Sequence, residues 1–102
     1  MAGYRVKWSN EAKLDLQNIL IFYKNQKSKY AKTLANQVRQ IVKIISKNPF
    51  IGKTADIENV RMFIFESYQL IYEIKAPRHI LIMLWDCRRN PKDKEIEIWS
   101  RV

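Results

Sequence analysis

The sequence predicts an α+β fold: an N-terminal strand, an antiparallel two-helix hairpin, then three antiparallel strands, with the helices packed on one face of a small sheet. Three observations carry this prediction. Two long segments in the first half repeat apolar residues at helical spacing, joined by a short polar link. Three strand-like runs fill the second half, separated by two or three residues. Glycine and proline are scarce, two and three in 102 residues, so long linkers are excluded and residues 1–102 read as a single domain.

Each element has a local cause. Tyr4-Arg5-Val6-Lys7-Trp8 alternates apolar and basic residues, as a strand with one wet face does. Ser9 or Asn10 caps the first helix, with Glu11 in the favourable first turn. Ala12, Leu16, Ile19, Leu20 and Tyr23 form its core face; Leu14 and Ile21 lie on the opposite side and are exposed unless something covers them. Lys24 to Lys27 make the turn, and Ser28 caps a second helix with the stripe Ala31, Leu34, Ala35, Val38, Ile41, Val42, Ile45. Proline at 49 stops that helix.

Residues 49–59 are expected to be a loop turning at Gly52. Val60–Phe65, Tyr68–Lys75 and His79–Asp86 are the three later strands. The run Ile80 to Trp85 does not alternate, which places it mid-sheet with both faces covered. Glu95 to Trp99 reads equally as an edge strand or a helical turn. By alternation Arg61, Phe63 and Phe65 share one side of their strand, assigned to the sheet face away from the hairpin. That face is either an open cationic docking floor or is covered by the C-terminal tail.

Charge gives the first functional indication. Nineteen Lys and Arg stand against ten acids, a net charge of +9. No acid occurs from Leu16 to Ala55, a stretch holding Lys24, Lys27, Lys29, Lys32, Arg39, Lys43, Lys47 and Lys53. Such a field attracts nucleic acids or other acidic macromolecules; the plainer alternative is a solvated helix face. The lone Cys87 excludes an internal disulfide and reads as a buried, inert thiol. The longest apolar run, Ile80 to Trp85, is far short of a membrane span, and the N-terminus has no signal core; a cytoplasmic protein without membrane contact is expected. There is no metal-ligand spacing or phosphate-cradling glycine loop, so no metal or cofactor is expected.

Several segments, in order, resemble one family. They are Trp8-Ser9-Asn10-Glu11-Ala12 with Leu16, the helix exit Asn48-Pro49-Phe50-Ile51-Gly52-Lys53, Val60-Arg61, the strand Tyr68 to Ile74, and Leu84-Trp85-Asp86-Cys87-Arg88-Arg89-Asn90-Pro91. Over nearly the whole chain this pattern is similar to the RelE/ParE toxins of type II toxin–antitoxin systems, closer to the ParE-like branch.

The resemblance implies a growth-inhibiting toxin neutralised by a cognate antitoxin, and it leaves two targets. RelE-like members cut mRNA on the ribosome by metal-free chemistry, needing cations for phosphorane charge and groups that move protons. ParE-like members poison DNA gyrase and need no catalytic residue. A non-toxic basic nucleic-acid-binding module is a third reading. For the cutting activity the resemblance nominates Lys53, Arg61, Arg88 and Arg89 as catalytic, and with Lys43 and Lys47 as phosphate-binding. Arg61 is the leading phosphate contact, and its structural alternative is a salt bridge to Asp86 or Glu66. Leu14, Ile21, Phe63 and Phe65 are the antitoxin-binding candidates. One departure matters: after Pro91 there is neither Tyr nor His, and Trp99 cannot transfer a proton. His79 is expected at the strand end remote from Arg88, and Asp86 to pair with a neighbouring arginine.

Overall fold

The computed structural model describes residues 5–102. Strand β1 (Arg5–Trp8) leads into helix α1 (Asn10–Asn25) and helix α2 (Tyr30–Lys47). A 3-10 turn (Pro49–Ile51) and a two-residue strand β2 (Lys53–Thr54) precede β3 (Val60–Phe65), β4 (Tyr68–Glu73), β5 (Arg78–Asp86) and helix α3 (Pro91–Arg101). Tyr4, the expected start of the first strand, lies outside the described residues.

The sheet order is β1-β5-β4-β3-β2. β3, β4 and β5 are antiparallel, while β1 returns beside β5 in parallel, Trp8 opposite Leu81. A parallel neighbour requires a crossover, which the helical hairpin supplies. β5 is therefore flanked on both sides, and Leu81 to Trp85 are all buried, as the unbroken apolar run predicts.

Local chemistry sets the element ends. Ser9 caps α1, its hydroxyl accepting the Ala12 N–H at 3.1 Å. The N-cap position of α2 is Lys29 rather than the expected Ser28; Ser28 lies one residue earlier and its hydroxyl accepts the Tyr30 N–H at 3.1 Å. Asn48 accepts the Phe50 N–H, and Pro49, which cannot extend a helix, is accepted in the first position of the 3-10 turn. Residues 49–59 are thus not a plain loop: they contain this turn and β2, which pairs with Arg61 and Met62.

Two cores lie on the two sheet faces. The hairpin packs Ala12, Leu34, Val38, Ile41 and Ile45 on Tyr68, Leu70, Tyr72, Leu81 and Leu84. On the opposite face Ile98 of α3 joins Ile57, Val60, Ile71, Ile82, Met83 and Trp85. The tail is therefore a helix, and of the two arrangements considered for that face the covered one is adopted. Asn90 caps α3, with Pro91 in its first turn and Asp93 nearby.

The covering of that face corrects one assignment. Phe63 and Phe65 share a side with Arg61, as alternation requires, but both pack against the hairpin core. Val60 and Met62 face α3 instead. The alternation was right and the face was inverted, because period-two spacing groups residues without saying which group faces the helices.

Candidate functional site

The basic residues sort to two ends of the sheet. At one end Arg61 and Tyr72 are cross-strand partners and reach the same turn. Arg61 Nη1 donates to the carbonyls of Phe50 at 2.9 Å and Gly52 at 2.8 Å, with its guanidinium 5.1 Å from the Phe50 ring centroid. Tyr72 donates its hydroxyl hydrogen to Pro49 O at 2.6 Å and accepts the Gly52 N–H at 3.0 Å. Burial pushes the Tyr72 hydroxyl above the usual phenol range, only partly offset by the Gly52 N–H and the Arg61 charge. A Cβ on Gly52 would meet Tyr72 Oη at 2.6 Å and Met62 O at 2.9 Å, so this close approach requires glycine. Arg61 makes neither of the expected bridges to Asp86 or Glu66; its partners are turn carbonyls. Lys47 and Lys53 flank the turn in sequence, Lys43 lies one helical turn earlier, and all three are exposed.

At the other end Arg88 grips Asp86 with two side-chain hydrogen bonds, Nε to Oδ1 at 2.9 Å and Nη2 to Oδ2 at 2.8 Å. The hydrogen bonds from Arg88 hold the Asp86 carboxyl below its ordinary value despite partial burial. Arg88 also lies 5.9 Å from the Tyr68 ring centroid, and the Tyr68 hydroxyl meets that of Tyr23 at 2.8 Å. Burial, then the Tyr23 hydrogen bond, pushes the Tyr68 phenol up. Tyr30 joins this cluster edge-on to Tyr23 and donates to Glu66; burial and that carboxylate push it up to about 12. Arg89 turns to the opposite sheet face, stacking 4.4 Å from the Trp85 ring centroid and bonding Glu97 at 2.8 Å.

The two ends do not converge. Arg61 sits opposite Tyr72, and Asp86 opposite Tyr68, four residues away on the same β4 strand. At about 3.3 Å per residue that is roughly 13 Å along the sheet. Lys53 and Arg61 thus stand at one end, Arg88 and Arg89 at the other, and the latter two diverge onto opposite faces. His79 is buried at the Arg61 end, its Nδ1 accepting the Lys75 N–H at 3.0 Å, remote from Arg88 as expected. Cys87 is exposed rather than buried, because it follows the end of β5. Among the described residues no group of His, Cys, Asp and Glu is arranged to hold a metal, and no helix is long and apolar enough to cross a membrane.

The four apolar candidates fall on two separate surfaces. Leu14 and Ile21 are 55% and 53% exposed on the outer side of α1, where Phe22 extends the patch. Phe63 and Phe65 instead line a groove of about 430 Å³ against Thr33, Asn36, Gln37, Gln40 and Ile41 of α2.

Sequence reasoning missed Tyr23, Tyr68, Asp15 and Arg101. Tyr23 reads as a core residue because its spacing is that of one, and Tyr68 reads only as the start of a strand. Asp15 accepts the Leu84 N–H at 3.1 Å and pairs with Arg101 at 2.7 Å. The one signal available was a carboxylate beside the apolar face of α1.

The fold and its surfaces define a small cationic α+β protein with exposed apolar residues on α1 and an apolar groove beside α2. The chain belongs to the ParE toxin family: the model described as "ParE toxin of type II toxin-antitoxin system, parDE" matches residues 6–90. α3 begins just past that match. A solved chain of the chromosomal ParDE toxin–antitoxin system from P. aeruginosa is similar, with TM-score 0.72 and 18% identity over 81% of this chain and 95% of that one. A chain of the toxin–antitoxin complex RelBE2 from Mycobacterium tuberculosis is similar with TM-score 0.60 and 21% identity, covering 84% and 93%. At these identities the likeness concerns the fold. No curated protein sequence matches the chain.

Proposed function

We propose that this toxin arrests growth by binding DNA gyrase, as ParE-like members do, and that an acidic cognate antitoxin holds it inactive in the cytoplasm. The observation carrying this reading is the dispersal of the cations: Lys53 and Arg61 stand at one sheet end, and Arg88 and Arg89 point to opposite faces at the other. In-line attack of a 2′-hydroxyl needs cations and proton-transfer groups around one phosphate. Tyr68, the phenol beside Arg88, is 1% exposed and has a raised pKa, which makes it a poor general base. A binding poison needs surfaces rather than a converged site, and this chain has exposed apolar residues on α1 and α3 together with a net charge of +9.

The antitoxin part rests on the same charge and on the Phe63–Phe65 groove, which offers apolar floor beside a basic helix. A purified supercoiling reaction tests the gyrase reading. The chain is expected to stop supercoiling and trap cleaved DNA at near-stoichiometric ratio, and the antitoxin to reverse this. Unimpaired supercoiling with excess folded toxin would refute it.

A further inference from the structure

The outward face of α1 carries little charge, in a chain whose net charge is +9. The helix holds two acids and two lysines, Glu11, Asp15, Lys13 and Lys24, and is electrically balanced. Helix α2, by contrast, holds Lys32, Arg39, Lys43 and Lys47 and no acid. Asp15 is turned toward β5, where it binds Arg101 and the Leu84 N–H, and Glu11 leans on the same guanidinium at 3.4 Å. What remains is an uncharged strip. Asn10, Leu14, Gln17, Asn18, Ile21 and Asn25 are all exposed, and their spacing of three, four and seven puts them on one helix face. Leu14 and Ile21 occupy its middle, each more than half exposed.

This strip is complementary to itself. Its positions are symmetric about the midpoint between Gln17 and Asn18: Leu14 mirrors Ile21, and Asn10 mirrors Asn25. A two-fold axis through that midpoint, at right angles to the helix, lays the same strip of a second copy on this one with the chain direction reversed. Leu14 then meets the partner's Ile21, and Asn10 meets the partner's Asn25. Gln17 and Asn18 stand beside their own copies near the axis. A carboxamide has both donors and an acceptor, so it can pair with its own copy, which a charged side chain cannot. Antiparallel helices also bring opposite ends of the two helix dipoles together.

We infer that this face of α1 is the seam of a two-fold dimer of the chain, with Leu14 and Ile21 at its centre. These two residues, nominated above for the antitoxin, are thereby reassigned. An acidic partner or a nucleic acid is drawn to cations, and the strip offers none. The free edge of β1 is a poorer seam, since Arg5 and Lys7 are exposed on that strand and would crowd against like charge. With 16 residues, α1 is roughly 24 Å long. A contact of that length and about one helix width is small, so the dimer is weak, with a dissociation constant on the order of 10 μM. Because α3 packs on the opposite sheet face, its exposed Ile96 and Trp99 stay free in the dimer.

The test is sedimentation of full-length free toxin from about 1 to 200 μM, a range that brackets this constant. A monomer–dimer equilibrium is expected. Leu14→Lys and Ile21→Glu should each weaken it about tenfold or more, because each puts a charge against an apolar side chain. Both positions are more than half exposed, so the variants should fold, which circular dichroism verifies. The two changes combined should restore the dimer, since the opposite charges then face each other across the axis. Asn18→Cys in a Cys87→Ser background should also oxidise readily to a covalent dimer. A monomer at every concentration would overturn the inference, as would a dimer indifferent to both single changes. Weakening by each change without recovery in the pair would overturn it too, because the antiparallel pairing requires that rescue.

Discussion

Arg101 and Asp15, 86 residues apart in sequence, meet at 2.7 Å with side chains only 13% and 21% exposed. The pair lies against the edge of β5 beyond the end of β1. Asp15 accepts the Leu84 N–H there, and Arg101 donates to Ile82 O at 3.0 Å. It therefore joins α3 to α1 and blocks an otherwise bare strand edge, which would invite unwanted pairing.

Arg101→Ala leaves the Asp15 carboxylate half-buried and without its charge partner. Breaking a fully buried pair costs about 3–5 kcal/mol, and partial solvent access brings the expectation here to about 2 kcal/mol. Urea unfolding measures it. Adding Asp15→Asn should cost less than the sum of the two single changes; full additivity would mean the two side chains do not act together.

Arg61 and Tyr72 hold the Pro49–Gly52 turn from beneath. Arg61→Ala is expected to lose about 1–2 kcal/mol, the worth of charge-assisted hydrogen bonds at a partly exposed site. Growth arrest should survive wherever the variant remains folded. Loss of arrest in a fully folded variant would give Arg61 a direct role at the target.

Gly52→Ala tests the same clamp from the other side. The new Cβ meets Tyr72 Oη and a backbone carbonyl, so the turn must shift. Overpacking of this kind costs about 1–3 kcal/mol. Tyr72→Phe combined with Gly52→Ala should recover part of that loss, since the closest clashing atom is removed; no recovery would place the strain elsewhere.

Alkaline pH should destabilise the tyrosine end. Tyr30 is raised to about 12 and Tyr68 is raised also, so the folded state retains phenol protons that the unfolded chain releases near 10. Below pH 10 their contribution is fully present, and it is lost as pH rises from there through the folded values. Stability followed by circular dichroism should fall across that window, with Tyr30→Phe flattening the slope. A flat profile to pH 12 would contradict the raised phenols. At the acid end the depressed Asp86 contributes stability that disappears as pH falls below the ordinary aspartate range.

Helices α1 and α2 and strands β3 to β5 were legible because each owes its pattern to one buried face or a doubly covered run. The Ser9 cap and the proline stop at Pro49 are likewise local chemistry. What escaped depends on contacts distant in sequence. Nothing near Phe63 says that α2 covers its side of the sheet, and nothing near Arg61 says that a carbonyl pair nine and eleven residues back awaits it. α3 had a local signal, Asn90-Pro91 followed by Asp93, but its charged sequence masks the single buried Ile98. The basic residues were identifiable as a set; their dispersal over two sheet ends follows only from strand register.

The most direct test is induction of the free toxin in growing bacteria, with transcript ends and gyrase–DNA breaks mapped in the same culture. Arrest with accumulated gyrase-linked breaks and intact transcripts is the result this account predicts. Arrest with transcripts cut inside translated frames, and no such breaks, would contradict it.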